Sequence, residues 1–298
     1  MARLWALLRK ARYALPACVG RLVPGPSAES TARRCAKLAR RGFAATAGYF
    51  DFEGQGPEDV AAANARLARL LGEVPGDFYL SLKAPALAFD QARLRTVAEA
   101  AAAAGLAIMY DSHAPKDADR TLAAVTGLLA DFPGTGVVLP SRWRRTLSDA
   151  AALRDSSARI RVVKGEWPDE TQEEGDPSAG YIAIIERLAG RRAPVAVATH
   201  DPDLAERALS LLLAAGTPCE LEQLRGLPRR RTVAVAARLG VPVRLYLPFG
   251  RGWWPYAIDK ALARPYLLSW MLADFFGRRA SLADDRNEMG AEAAAVAR

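Results

Sequence analysis

Residues 160–170 read IRVVKGEWPDE, an apolar run of strand length that contains Arg161 and ends on Lys164 and a glycine. A short run that is apolar on both faces is typical of a parallel strand covered by helices. A cation inside such a strand needs a polar partner if it is buried. We therefore expect the end of this strand to point at an anionic group, the alternative being simple exposure to solvent.

Seven other apolar runs share this length, and each is followed by a stretch of helical period. With the first they are GFAATAGYF (42–50), DFYLSLKA (77–84), LAIMYD (106–111), GVVLP (136–140), IRVVKG (160–165), VAVATH (195–200), CELEQL (219–224) and VRLYLP (243–248). Helix starts and stops fall between them, with Pro57 or Asp201 at a start and Gly216 at a stop. Eight strand–helix units over about 250 residues predict a closed (β/α)8 TIM-type barrel of the α/β class. No G-x-G-x-x-G follows the first strand, which disfavours an open dinucleotide-binding sheet.

We divide the chain into an N-terminal helical segment over residues 1–41, the barrel over 42–280 and a tail over 281–298. The first 25 residues carry five basic and no acidic side chains, with Leu4, Leu7, Leu8 and Ala11 at helical spacing. A helix packed on the barrel and an amphipathic helix at a membrane surface both explain this pattern. The segment lacks the long apolar core of a secretory signal.

Charge and cysteine usage narrow the class of partner. A net charge of +8 suits nucleic acid, an anionic membrane surface or an anionic cofactor, but arginine is spread along the whole chain without a nucleic-acid-binding motif. We therefore expect no nucleic acid. Three cysteines without C-x-x-C spacing indicate a reducing, cytoplasmic location. The prediction also allows peripheral contact of the protein with the inner face of the membrane. Two histidines, His113 and His200, are too few to indicate a metal site.

Polar residues end the predicted strands. In a barrel of this kind the carboxyl ends of the strands surround the active site. The polar residues there are Lys83, Asp111, Arg142, Lys164, Thr199, His200, Glu222, Gln223 and Tyr246. Strands end on polar residues in any case, but this explains Lys83 and Arg161 poorly, because both lie within apolar runs.

Six segments, in chain order, resemble the strands of the proline dehydrogenases, flavoenzymes built on a distorted eight-stranded barrel. They are SLKAPAL, IMYDS, RIRVVKGEW, VAVATHD, CELEQLRG and VRLYLPFG, within residues 42–277, and RIRVVKGEW is the most specific of them. The resemblance implies oxidation of a C–N bond in an amine or cyclic imino acid, by hydride transfer to N5 of a flavin. It implies FAD, with FMN as the alternative, and a membrane quinone as electron acceptor.

The resemblance also implies roles for individual residues. The catalytic residues would be Lys83, Asp111, Arg161 and Tyr246, with Lys83 and Asp111 as a charged pair near the substrate. The cofactor-binding residues would be Arg161, Lys164, Trp167, Thr199, His200 and Glu222. The substrate-binding residues would be Lys83, Asp111, Tyr246, Tyr256, Asp259 and Lys260.

Three departures from the family pattern bear on substrate and cofactor. Two adjacent arginines that grip the substrate carboxylate in the family read Asp259 and Lys260 here. An aspartate repels a carboxylate and suits an ammonium or guanidinium, so we expect a proline-like substrate other than free proline. Family glutamines read Pro140 and Glu222, and the connection after Trp167 is short and acidic, which keeps FMN open as the cofactor.

Two other classes of function remain open. One is a barrel that has lost flavin chemistry and acts as a binding or regulatory protein. The other is a lyase or aldolase in which Lys83 or Lys164 forms a Schiff base. Flavin absorbance of the purified protein distinguishes the oxidoreductase from both, and borohydride trapping with a carbonyl substrate identifies the lysine enzyme.

Overall fold

The computed structural model describes residues 25–52, 54–169 and 176–263, with side chains of the last helix described to residue 258. Eight parallel strands form a closed barrel in which each strand pairs with its neighbours in the sequence and the eighth pairs with the first. They are β1 (Ala44–Tyr49), β2 (Phe78–Leu82), β3 (Ala107–Tyr110), β4 (Thr135–Pro140), β5 (Arg159–Val163), β6 (Val195–Ala198), β7 (Cys219–Leu224) and β8 (Val243–Phe249). The predicted (β/α)8 barrel is confirmed.

One helix precedes the barrel and one follows each strand. They are α1 (Ala28–Ala39), α2 (Pro57–Gly72), α3 (Gln91–Ala103), α4 (Ala118–Leu129), α5 (Thr146–Leu153), α6 (Pro177–Leu188), α7 (Pro202–Ala214), α8 (Arg230–Arg238) and α9 (Trp253–Ala263). Short 3-10 turns, Ala84–Leu87 and Pro115–Asp117, follow β2 and β3. Among the described helices we find none with the length and hydropathy needed to cross a bilayer.

The helix starts use the signals that the sequence carries. The carboxylate of Asp201 accepts hydrogen bonds from the amides of Asp203 and Leu204 at the start of α7. At the start of α6, the carboxylate of Asp176 accepts from the amide of Ser178. Such caps satisfy amides that have no partner inside the helix and stabilise it by about 0.5–2 kcal/mol. The caps thereby fix where the chain turns from each strand end into its helix.

Helix α1 forms part of the barrel wall. It packs on α2, β1 and β8, and its face with Ala28, Ala32 and Cys35 is buried. The helix therefore covers the seam where β8 closes against β1. The predicted division at residue 41 and the tail over 281–298 stay predictions, because residues 1–24 and 264–298 lie outside the described part of the chain.

The lumen of the barrel is unusually polar. Residues that pair across parallel strands point to the same side, and Arg161 on β5 pairs with Ala196 on β6, which pairs with Glu220 on β7. Long polar side chains thus enter from β2, β5, β7 and β8. Small residues face the lumen between them, including Gly48, Gly136 and Ala198. The small residues leave room for the long ones, so the interior fills with charge instead of the usual branched apolar layers.

Candidate active site

A buried ionic layer closes the lower lumen, at the amino ends of the strands. Arg244 on β8 is completely buried, and its Nε lies 3.0 Å from each carboxylate oxygen of Glu220. Its Nη2 lies 2.6 Å from Oδ2 of Asp77, and Nη1 of Arg159 lies 2.7 Å from Oε1 of Glu220. The ring of Tyr79 lies above, 4.2 Å from the Arg244 guanidinium. These paired charges form a solid floor beneath the candidate site.

Arg161 holds the upper layer together. It is 4% exposed, its Nε donates to Oε2 of Glu222 at 2.8 Å, and its Nη1 donates to Oδ1 of Asp111 at 2.9 Å. Burial alone would lower the pKa of the guanidinium, but the carboxylate of Glu222, with Tyr79 and Asp111, raises it well above the ordinary value. Arg161 is therefore a permanent cation whose charge is matched inside the protein.

The carboxylates around Arg161 are oriented by hydroxyl donors. Thr46 Oγ1 donates to Oε1 of Glu222 at 2.8 Å, and the Tyr79 hydroxyl donates to the other oxygen. Ser81 Oγ donates to Oδ1 of Asp111 at 2.6 Å. Charged groups inside a barrel are tolerated only when their remaining lone pairs are satisfied in this way. Arg161 thus points at the protein's own carboxylates, and the cofactor contact implied for it stays a prediction.

Tyr246 lies across the top of this layer. Its hydroxyl is 3.4 Å from Oδ2 of Asp111, and its ring centroid is 5.4 Å from the Arg161 guanidinium. A Cβ built on Gly48 would lie 1.8 Å from the Tyr246 hydroxyl, so only glycine leaves room for this tyrosine. Burial, and next the charge of Asp111, raises the pKa of Tyr246 well above its ordinary value. The phenol stays protonated and acts as a donor.

Lys83 takes a different position from the one predicted. Its Nζ donates to the carbonyl oxygen of Tyr49 at 2.6 Å and lies 3.9 Å from the centroid of the Phe50 ring. Asp111 binds Arg161, and the described residues show no salt bridge from it to Lys83, although its charge acts on Lys83; the charged pair near the substrate therefore stays a prediction. Burial lowers the pKa of Lys83, and Asp111, Asp51 and Glu166 oppose this shift electrostatically.

Three predicted cofactor residues lie together at the carboxyl ends of β5 and β6. Lys164 Nζ is 3.7 Å from the Asp201 carboxylate, and Thr199 Oγ1 accepts from the Asp201 amide at 3.1 Å. The His200 ring lies between two backbone groups: Nδ1 is 3.0 Å from the Pro228 carbonyl oxygen, and Nε2 is 3.2 Å from the amide nitrogen of Leu224. The predicted cofactor set therefore divides in two, since Arg161 and Glu222 lie below in the lumen.

Aromatic side chains from the loops cover the mouth of the barrel. The Phe50 ring is 4.9 Å from the Tyr256 ring and 5.2 Å from the Trp253 ring on α9. The Tyr256 hydroxyl donates to Oε2 of Glu166 at 2.6 Å, which connects α9 to the loop after β5. The predicted substrate contacts Asp259 and Lys260 have side chains outside the described residues.

Trp167 lies beside this mouth and is 44% exposed. Its ring centroid is 5.3 Å from that of His113, and its carbonyl oxygen accepts from Nε1 of Trp143 at 2.8 Å. Such a partly open indole offers a flat surface on which a ring system could stack.

Sequence reasoning missed several members of the site. Tyr79, Ser81, Phe50 and Glu166 were not singled out, although each contacts a predicted residue. One signal was available. Alternate positions read Arg-Ile-Arg on β5 and Glu-Leu-Glu on β7, and opposite charges at the period of a strand indicate pairing across a lumen. Glu166 gave no such signal, because its partner is 90 residues away.

The residues at the ends of β4 to β6 fit a flavin in their chemistry. Arg142, Lys164 and Thr199 supply cations and a hydroxyl, and Trp167 supplies an aromatic face, which are the groups that suit a polar ring edge and phosphate. Arg161 and Glu222 do not border this surface, because each is enclosed by its lumen partners. No group of three or more metal-ligating side chains occurs among the residues described here.

Fold and charge distribution together define an enzyme-like (β/α)8 barrel with its polar cluster at the carboxyl ends of the strands. The chain is 24% identical over 263 residues to proline dehydrogenase 1 of Bacillus subtilis subsp. natto, covering 82% of this chain and 86% of the relative. It is 30% identical over 156 residues to a proline dehydrogenase of Deinococcus radiodurans, covering 49% of this chain and 50% of the relative. No model of a known protein family matches the chain.

Solved structures agree in fold. Proline utilization A (PutA) of Bdellovibrio bacteriovorus, inactivated by N-propargylglycine, superposes with a TM-score of 0.66 at 18% identity, over 79% of this chain. PutA of Corynebacterium freiburgense gives 0.65 at 19% identity over 84% of this chain. The chain covers only 31% of either PutA chain. The chain is thus similar in sequence to curated proline dehydrogenases, and similar in fold to the PutA structures.

Proposed function

We propose that this protein is a flavin-dependent oxidoreductase that oxidises a C–N bond of a proline-like amine. The observation that carries the proposal is the contact of Asp111 with Arg161 and Tyr246, with Lys83 close enough to act on the charge of Asp111, in a barrel whose curated relatives are proline dehydrogenases. When bound, the flavin would supply a hydride acceptor, its N5 atom. The side chains proposed to hold it are Arg142, Lys164, Trp167 and Thr199. FAD is the primary candidate and FMN the alternative.

The residues of the chain have two tasks in this proposal. The substrate nitrogen must be neutral before a hydride leaves the neighbouring carbon. Lys83 has a lowered pKa and can hold or release a proton at Nζ beside the Phe50 ring. Tyr246 and Asp111 orient the substrate above Arg161 and help to exclude water, because Tyr246 donates to Asp111 and Asp111 accepts from Ser81 in the lumen.

The test is reduction of the bound flavin without oxygen. Purified protein should show flavin absorbance, which should bleach when a cyclic amine is added. Lys83→Met should slow bleaching by about 10²–10⁴-fold at neutral pH, the usual contribution of an acid–base group. Exposed Lys37→Met is the control. Protein that stays colourless after incubation with FAD and FMN would overturn the proposal.

A Schiff-base lysine is a second candidate, favoured by the lowered pKa of Lys83. Borohydride trapping of a carbonyl substrate on Lys83 would identify it. A quinone acceptor and peripheral membrane contact remain proposals based on the family and on the basic first 25 residues. Vesicle sedimentation of the full chain tests the contact.

A further inference from the structure

The surplus positive charge of the chain comes from its amino-terminal part. Residues 1–41 contain ten basic side chains and one acidic side chain, whereas residues 42–298 contain 31 basic and 32 acidic side chains. The net charge of +8 therefore belongs to the segment that precedes β1, and helix α1 lies in the part of this segment that the structure describes. Such an uneven charge indicates a region that contacts an anionic partner.

The cations of α1 lie on one face of the helix. Arg33, Lys37 and Arg40 follow one another at intervals of four and three residues, which places them in a row along the helix. Arg34 and Arg41 lie beside this row, and all five side chains are exposed. We call these five residues the basic face. The opposite face of α1 is the one that packs against α2, β1 and β8, so the basic face points away from the barrel.

The basic face keeps its charge in the folded protein. Within the described part of the chain, no salt bridge involves any of its five side chains. The acidic residue of α1, Glu29, pairs with Arg66 on α2 at 2.5 Å. In the loop after α2, Asp77 binds the buried guanidinium of Arg244 at 2.6 Å, and Glu73 is the other carboxylate. One further carboxylate does not balance five cations.

Ordinary structural roles explain only part of the basic face. A cation in the last turn of a helix is favoured by the helix dipole, which accounts for Lys37 and Arg40. Arg33 and Arg34 lie in the middle of α1, where the dipole contributes little. Docking of a folded protein uses an apolar centre from which water is excluded, and this face presents long charged side chains instead. A fluid anionic surface requires no such fit, because its own charges can rearrange around the cations.

We propose that the basic face binds the headgroups of an anionic lipid bilayer. The inference rests on the membrane contact proposed above, which it assigns to a surface of the folded protein, and it does not depend on flavin chemistry. Residues 1–24 add five basic side chains and no acidic one directly before this surface. Each basic side chain near an anionic bilayer strengthens binding about fivefold. A few such contacts are therefore enough for reversible attachment.

The contact also sets the orientation of the barrel. The amide of Gly250, just after β8, donates to the carbonyl oxygen of Pro26 at 2.9 Å, so α1 begins near the carboxyl ends of the strands. It ends just before β1, at the amino ends. With the basic face against the headgroups the barrel lies on its side, and the rim of its mouth at Gly250 is close to the lipid.

Flotation of the full-length protein with lipid vesicles tests the proposal. The unmodified protein should bind vesicles of equal parts phosphatidylglycerol and phosphatidylcholine, and it should not bind phosphatidylcholine alone. Binding should weaken as salt is added, because salt screens contacts between exposed charges. The triple variant Arg33→Gln, Lys37→Gln, Arg40→Gln should weaken binding about a hundredfold. Glutamine suits a helix as well as these residues do, so circular dichroism should show an unchanged fold.

The matched control removes three exposed cations from the side of the barrel formed by β3 to β6. It carries Lys116→Gln, Arg187→Gln and Arg192→Gln, and it should bind vesicles like the unmodified protein. Equal weakening in both triple variants would show that only the net charge matters, and it would overturn the proposal. Binding that ignores the phosphatidylglycerol content, or no binding at all, would do the same. Tighter binding to a DNA duplex at the same salt would overturn the assignment to lipid.

A third variant separates the basic face from the residues before it. It carries Arg9→Gln, Lys10→Gln and Arg12→Gln. If this variant loses binding while the α1 variant keeps it, the contact belongs to residues 1–24 and the proposal is wrong. Flavin reduction is measured on the same preparations. Protein that binds vesicles through α1 but is reduced by no amine loses the redox function and keeps this inference, and the reverse result has the opposite meaning.

Discussion

The charge on Arg161 is buried with two carboxylate partners, Asp111 and Glu222, which are themselves held by hydroxyl donors. Taking such charges out of water is unfavourable, and the attraction between them offsets that cost only while all the partners are present. Removing one charged member of the cluster therefore lowers the free energy of unfolding by more than the whole cluster contributes to it. The cluster is better understood as a device that fixes geometry than as a source of stability.

Replacing Arg161 with methionine should lower the free energy of unfolding by about 3–5 kcal/mol, because Glu222 and Asp111 lose their counter-charge. The double variant Arg161→Met with Glu222→Gln should recover a substantial part of that loss. Urea denaturation followed by circular dichroism measures both. The exposed pair member Arg238→Met should change little. Equal losses in the single and double variants would show that the two charges are not coupled.

Lys83 should make stability depend on pH. Its folded-state pKa is lowered by burial, so the unfolded chain binds the proton more tightly. The cost of burying the ammonium is fully present below the folded-state pKa. It is relieved as the pH rises from there towards the unfolded value of about 10.4. Stability of the unmodified protein should therefore rise more steeply with pH in this window than stability of Lys83→Met.

The measurement is the difference in urea midpoint between the two proteins at several pH values from neutral to 10, where contributions from other titrating groups cancel. Exposed Lys37→Met on α1 is the matched control and should follow the unmodified protein. A constant difference across the range would mean that the pKa of Lys83 is not lowered.

The sequence predicted the lumen better than it predicted the mouth. Strand alternation places Arg161 inside the barrel, so a buried partner could be expected from the apolar neighbours alone. The partner of Lys83 could not be predicted in this way, because a long side chain at the end of a strand can reach several groups. Loop geometry places the carbonyl of Tyr49 and the ring of Phe50 beside Lys83. The periodicity of the sequence carries no information about that geometry. The contact between Glu166 and Tyr256 depends on where α9 lies, for the same reason.

Strand β1 is matched to β8 by side-chain size. Gly48 faces the hydroxyl of Tyr246, and an added methyl group would overlap it at 1.8 Å. Gly48→Ala should displace Tyr246 from Asp111 and destabilise the protein by about 1–3 kcal/mol, the usual effect of overpacking. Calorimetric melting temperatures measure this. Gly127→Ala on α4 is the control, because a Cβ there meets no atom within 4 Å.

A second variant separates steric overlap from other effects of alanine at this position. Adding Tyr246→Ala to Gly48→Ala removes the group that overlaps, so the second mutation should cost less in the Gly48→Ala background than alone. Strictly additive losses would contradict the steric account.

The reactivity of Cys35 on helix α1 can show whether this helix stays packed against the barrel. Cys35 is completely buried against the barrel, and burial raises the pKa of its thiol to about 12. Alkylation needs the thiolate, so Cys35 should react many-fold more slowly in the folded protein than in denaturant. Mass spectrometry of iodoacetamide adducts in a Cys18→Ser variant measures the alkylation rate of Cys35. The rate in urea, where Cys35 is exposed, is the reference. Reaction at similar rates in both states would show that α1 detaches readily.

The whole barrel should unfold as one unit. Every described strand has two neighbours, so no strand can leave without breaking two ladders. Tryptophan fluorescence and far-ultraviolet circular dichroism should report the same urea midpoint. Separate midpoints would indicate that the two halves of the barrel unfold independently.

Closure between β1 and β8 has a consequence for biosynthesis. These strands share six residue pairs, yet Ala44 leaves the ribosome about 200 residues before Arg244. Throughout that interval the nascent chain has two open edges, and until Glu222 is synthesised Arg161 lacks this partner in its network with Tyr79. Water solvates the charges meanwhile, so the unfinished barrel has less apolar surface to offer to other nascent chains than one with a leucine-filled interior. The ionic lumen would thus protect the protein during its own synthesis, before any substrate is bound.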